Sequence, residues 1–170
     1  MSDPATVPGA GLLALYDTGL RDVYGYLVAR CGQRAVAEEL TSETFLAAVD
    51  AVRGGADVGM PWLIGVARHK LVDHWRATAR EERALQAVAE AAPPEEDGWE
   101  VRLDAVRARE VLAGLGPHHR AALALRYLDD LPVPEIAALL GRTVHATEAL
   151  LIRAKAAFRR AYTAGGGADA

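Results

Sequence analysis

One short stretch limits what this chain can fold into. Between Glu90 and Asp104 it carries Glu95, Glu96, Asp97, Glu100 and Asp104 against a single Arg102, with Pro93-Pro94 and Gly98 in the same segment. Adjacent prolines cannot continue a helix, and a segment with so little apolar surface cannot support a core. Residues 91–98 therefore read as an acidic linker. A chain of 170 residues cut at that point has to bury its apolar surface in two small units, one on either side. A long surface loop within a single domain is the alternative.

Both sides read as helical. Alanine is abundant, and the β-branched alternation of a sheet protein is missing. Upstream, apolar residues at helical spacing predict helices over about 12–30, 34–52 and 61–83. Gly32 ends the first, Arg53-Gly54-Gly55 stops the second, and Pro61 suits the first turn of the third. Downstream, the pattern predicts helices over about 100–113, 118–128, 134–140 and 143–162. The short sixth helix, the Gly141-Arg142 break and the longer basic helix after it have the form of a helix-turn-helix. The expected fold class is all-α: two small helical domains, 12–90 and 99–162, joined by the linker 91–98. Residues 1–11 and the Gly/Ala-rich tail 163–170 are expected to be disordered.

Composition removes several classes of function. The single Cys31 allows no internal disulfide framework and no Cys-rich zinc site. No apolar run reaches the roughly 18 residues that span a bilayer, and the opening MSDPATVPGAG lacks the basic flank and apolar core of a signal peptide. A reducing, cytoplasmic location with no membrane association is expected. There is no phosphate loop, HExxH or nucleophile elbow. His69 and His74 are five apart and fall on different helix faces, so no metal site, cofactor or catalytic centre is expected. The net charge of −4 hides an asymmetry. Residues 1–104 hold 10 basic and 17 acidic side chains, and residues 105–170 hold 9 and 6.

Two helices carry the chemistry. On the third, Leu63, Ala67, Leu71 and Trp75 form an apolar ridge at spacings of four. Another face presents His69, Asp73, Arg76, Arg80 and Arg83, flanked by Arg68 and Lys70. Such a stripe can offer guanidinium forks to a phosphate backbone, or it can be an ordinary solvated face. On the last helix, Thr147, Leu151, Ala154 and Phe158 form a core stripe. If that helix enters a major groove, Arg142, Thr143 and His145 could read bases at its N-terminus, while Arg153 and Lys155 touch phosphate. Three-helix clusters of this kind also occur in proteins that bind no DNA.

In four stretches, spread over about residues 12–162, the chain resembles the extracytoplasmic-function group of bacterial sigma factors. LLALYDTGLRDVYGYLVARCG looks like that family's opening helix, and AVAEELTSETFLAAVDAV is similar to its segment for the polymerase clamp. PWLIGVARHKLVDHWR resembles its promoter-melting helix, and the stretch from LAGLGPHHR to FRRAY resembles its C-terminal helix-turn-helix domain. The resemblance implies a sigma factor that binds core RNA polymerase and directs promoter recognition, DNA melting and transcription initiation. Its partners would be core RNA polymerase, promoter DNA and, in some cases, an anti-sigma factor. Glu38, Glu39, Leu40, Glu43 and Phe45 map to the polymerase-binding helix, although Phe45 is equally suited to core packing. The loop Arg53–Met60 maps to the pocket for a flipped base of the upstream minus-ten element, where flipping costs a few kcal/mol. Arg68, His69, Lys70, Arg76 and Arg80 map to the melting helix, and Arg142, Thr143, His145, Arg153 and Lys155 to the reader of the minus-thirty-five duplex. In this family the linker follows polymerase's RNA-exit path, so its carboxylates would imitate RNA.

The chain departs from that family at several positions. His69 stands where Asn is usual, Ser42 where Gln is common, and His145 where a small residue is common. Glu148 and Leu150 occupy positions that are usually basic or polar, which implies weaker or altered duplex readout, with Arg142, Thr143 and Arg153 carrying more of it. The Ala149-Ile152-Ala156 patch is expected either to meet a protein such as an anti-sigma factor or to pack within the domain. Two other functions compete with the sigma reading: a stand-alone helix-turn-helix regulator and a helical protein-binding adaptor.

Overall fold

The computed structural model describes residues 8–85 and 104–165. Within them the chain forms α1 (Pro8–Cys31), α2 (Arg34–Arg53), α3 (Met60–Leu85), α4 (Ala105–Gly114), α5 (Pro117–Leu123), α6 (Val133–Leu140) and α7 (Val144–Ala164). The described residues contain no strand, in keeping with the all-α expectation. α1 starts at Pro8, four residues before the expected Leu12. The expected linker 91–98 lies outside the described residues. By backbone contacts the chain separates into Met1–Leu71 and Val72–Ala170, so the division falls inside α3.

In the first unit α1 and α2 form a helical hairpin. Gly32 adopts a left-handed φ of 67° and donates its N–H to the Val28 carbonyl at 3.0 Å, the usual way a glycine closes a helix. Val23, Leu27 and Cys31 of α1 are buried, as are Ala37, Leu40, Thr41, Thr44, Phe45 and Ala48 of α2. The two buried threonines donate their hydroxyls to carbonyls one turn back, Thr41 to Ala37 at 2.6 Å and Thr44 to Leu40 at 2.7 Å. Their burial therefore leaves no hydroxyl donor unsatisfied. Gly19 lets α1 approach the start of α3. A Cβ there would come within 2.9 Å of Met60 Sδ and 3.4 Å of a Leu63 methyl. The expected α3 ridge of Leu63, Ala67, Leu71 and Trp75 is buried along its length and continues to Ala79.

In the second unit α4, α5 and α7 share a core of Leu112, Leu115, Leu123 and Ala154, with Phe158 packed against it. Asp104 caps α4, accepting the Arg107 N–H at 2.9 Å. Pro117 opens α5, where its missing N–H costs nothing. α5 then widens into a π-helical turn, Ala124–Leu128, closed by the Asp129 N–H on the Ala124 carbonyl at 3.1 Å. α6 ends at Gly141, whose left-handed φ of 63° turns the chain into α7. Thr143 caps α7 by accepting the Ala146 N–H at 3.1 Å. This places the tight break between a short helix and a longer one where the glycine pattern predicts it.

Candidate nucleic-acid interface

α2 presents its candidate residues on two different faces. Glu38 and Glu39 are exposed. Leu40 and Phe45 are not: they are 5% and 6% exposed, and the Phe45 ring meets Tyr16 of α1 edge-on at 4.9 Å. Of the two roles open to Phe45, the structure gives it packing, and Leu40 shares that face. Neither side chain is on the surface of this unit. Leu46 is, with 64% exposure, directly opposite the core stripe and on the same face as Glu39, Ser42 and Asp50. Sequence reasoning missed it. The available signal was that Leu46 falls off the buried spacing shared by Ala37, Leu40, Thr44 and Ala48. Glu43 lies at the edge of that face, with a carboxylate oxygen 3.3 Å from Lys70 Nζ.

The basic stripe of α3 divides by exposure. His69, Asp73, Arg80 and Arg83 are exposed, while Arg68, Lys70 and Arg76 are half-buried. The stripe turns away from the Leu63–Ala79 ridge, as an amphipathic helix requires. The loop between α2 and α3, Gly54–Gly59, includes Gly55 at a φ of 85°.

At the start of α7 the candidates differ in what their side chains already do. Thr143 is exposed, but its hydroxyl oxygen is committed to the cap. Arg142 is half-buried, and His145 is exposed. Further along, Arg153 and Lys155 are half-buried, on flanks that a helix in a groove would turn toward the rims. Leu150 is 3% exposed, so it belongs to the core and takes no part in an outer surface. This changes the expectation that its apolar side chain alters readout. Ala149, Ile152 and Ala156 are half-buried.

Two histidines without an expected role lie at the start of α5. Burial, followed by the nearby Arg142, lowers the His118 pKa to about 4. His119 is lowered by burial and by Arg153 and Arg160 of α7. Both rings are therefore neutral near pH 7. The described residues contain no group of acidic, histidine or cysteine side chains suited to a metal ion. No described helix is long and apolar enough to cross a membrane.

Comparison with known proteins matches two separate stretches of the chain. The family profile of sigma-70 region 2 matches residues 15–81, and that of sigma-70 region 4 matches residues 105–158. The chain is 34% identical over 154 residues to the ECF RNA polymerase sigma factor BldN of Streptomyces coelicolor, covering 82% of this chain and 56% of that protein. It is 29% identical over 147 residues to the ECF sigma factor SigL of Mycobacterium tuberculosis, covering 83% of this chain and 82% of SigL. The chain thus spans little more than half of the first relative and most of the second. Among solved structures, the sigma factor RpoE of Bartonella quintana, crystallised with the anti-sigma factor NepR, superposes with a TM-score of 0.53 at 18% identity. That match covers 91% of this chain and 96% of the other, and at this identity it speaks for the fold.

Proposed function

Because the chain belongs to the extracytoplasmic-function group of the sigma-70 family, we propose that it is an alternative sigma factor that binds core RNA polymerase and starts transcription at a dedicated set of promoters. The observation that carries this reading is the order of the two matched regions, region 2 and then region 4, on helices whose outward faces differ in character.

In this proposal the outer face of α2, with Glu38, Glu39, Glu43 and Leu46, meets the polymerase clamp. Its carboxylates would pair with basic residues there while Leu46 supplies apolar contact. Arg68, His69, Lys70, Arg76 and Arg80 of α3 would hold the opened strand, since cationic side chains along a groove track a single-stranded backbone. α7 would enter the major groove of the upstream duplex, with Arg142, Thr143 and His145 toward the bases and Arg153 and Lys155 on the phosphates. The chain would have no catalytic activity of its own and would act in the cytoplasm, where polymerase works. An anti-sigma partner rests on the family membership alone.

Co-elution of the full chain with bacterial core polymerase tests the reading. Wild type should co-elute, and Leu46→Glu or Glu39→Arg should abolish this without unfolding the protein. Glu43→Arg is less informative, because it would also set two cations against each other at Lys70. A stand-alone regulator would bind its duplex without polymerase, and a folded wild type that never co-elutes would sink the sigma reading. For the resulting holoenzyme, Arg153→Ala should lower the salt slope of promoter binding by about one unit, as expected for the loss of one phosphate contact.

A further inference from the structure

One side chain on α7 has a charge that conflicts with a helix approaching DNA. Glu148 lies just over a turn into α7, 56% exposed, away from the buried Thr147, Leu151 and Ala154. His145 precedes it by three residues and is 97% exposed, with Nδ1 4.0 Å from a Glu148 carboxylate oxygen. The neighbouring polar groups are already committed. The Thr143 hydroxyl oxygen caps the helix, and the buried Thr147 donates its hydroxyl to the Thr143 carbonyl at 2.9 Å. Beside the capping Thr143, His145 and Glu148 are the long polar side chains between 143 and 150 that are exposed.

A carboxylate in a major groove only accepts hydrogen bonds, which restricts what it can meet there. Guanine presents two acceptors, and thymine an acceptor and a methyl group. Adenine sets an acceptor beside its amino group. Cytosine presents its N4 amino group with no acceptor next to it. The phosphates lie at the groove rims, where the half-buried Arg153 and Lys155 flank α7. Glu148 lies on the same flank of α7 as Lys155 but two turns nearer the N-terminus, in the part of a recognition helix whose side chains reach base edges.

We propose that Glu148 reads the N4 amino group of a cytosine in the upstream promoter duplex, with His145 as the positioning residue that holds its carboxylate. This rests on the promoter-binding reading above. A small rotation of either exposed side chain closes the 4.0 Å gap to a hydrogen bond. An imidazole N–H on one carboxylate oxygen then leaves the other oxygen for the base. The acidic residue becomes a specificity element: it rejects guanine, thymine and bare phosphate by repulsion, and selects cytosine by its donor.

The test is selection from a randomised double-stranded promoter library by holoenzyme assembled from core polymerase and the full chain. Wild type should enrich one cytosine position in the upstream element by roughly tenfold over the other bases. Glu148→Ala should flatten that position and leave the rest of the motif intact. Glu148→Gln should move it toward adenine, because an amide can pair with both the N6 donor and the N7 acceptor. His145→Ala should weaken the cytosine preference, and His145→Asn, which keeps a donor, should restore part of it. Both positions are exposed, and a melting curve on each variant checks that it folds. A Glu148→Ala profile with its cytosine preference unchanged overturns the inference while leaving the promoter reading in place. A wild-type holoenzyme that enriches no upstream motif overturns both.

Discussion

Lys70 Nζ lies 3.3 Å from a carboxylate oxygen of Glu43, joining a candidate DNA contact on α3 to a candidate polymerase contact on α2. The two residues are 27 apart in sequence. It links the two proposed surfaces of the first unit.

That pair is partly solvated, so its worth to stability should be small, about 0.5–1 kcal/mol. Glu43→Lys and Lys70→Glu should each destabilise by about that amount, and the double exchange should recover most of it. Urea unfolding of the two single variants and the double variant measures the coupling. Additive losses would show that the contact contributes nothing in solution.

Adjacent residues on α2 should behave in opposite ways. Phe45→Ala removes a buried ring that packs on Tyr16 and should cost about 3–5 kcal/mol, enough to lower the melting temperature by many degrees. Leu46→Glu changes an exposed side chain and should leave the melting curve within about 0.5 kcal/mol of wild type. If Leu46→Glu melts as early as Phe45→Ala, the placement of this helix face is wrong.

Two side chains, Tyr162 and Arg120, tie the second unit together through polar contacts, and both are open to mutation. The Asp104 backbone N–H donates to the Tyr162 hydroxyl at 2.9 Å, and the Arg107 guanidinium lies 4.5 Å from the centre of the Tyr162 ring. Arg120 donates to the Leu112 carbonyl at 3.2 Å and the Leu115 carbonyl at 2.9 Å, and also to that of Ala113, so it closes the C-terminal end of α4. Tyr162→Phe should cost about 1 kcal/mol, and Arg120→Met about 2 kcal/mol because a charged donor is lost from several carbonyls. Calorimetry on the full chain should rank them in that order.

The histidine pair sets a pH dependence. Burial and neighbouring arginines hold both pKa values below the ordinary 6.5, with His118 at about 4. The unfolded chain therefore takes up protons first as pH falls, and stability drops from about pH 6.5 downward. For His118 the loss should be complete only near pH 4. Above pH 7 both rings are neutral in either state and contribute no slope. His118→Gln/His119→Gln should reduce the loss between pH 7.5 and 5. An unchanged slope in that variant would assign the acid sensitivity to other groups.

Much of the second unit was legible in the sequence because its signals are local. Gly141 predicts a break, and a left-handed residue sits there. The helices expected from about 118 and 134 begin within a residue of those positions, at Pro117 and Val133. The α3 ridge was readable for the same reason: one helix face repeats every few residues, and spacing alone exposes it. The Asp104–Tyr162 contact could not be read in this way, because the two residues are 58 apart and nothing in either neighbourhood points to the other. Arg120 likewise looks like any surface arginine until the end of α4 is brought beside it.

The pattern of apolar and helix-breaking residues by itself determined the number, type and approximate limits of the described helices, because backbone preference and amphipathic spacing act within a few residues. Only the tertiary structure decided which side chains on those helices remain available. Leu40, Phe45 and Leu150 are buried, Leu46 and Glu148 face outward, and Lys70 is held by Glu43. Burial is set by what packs against a face, and that depends on residues brought together from distant parts of the chain.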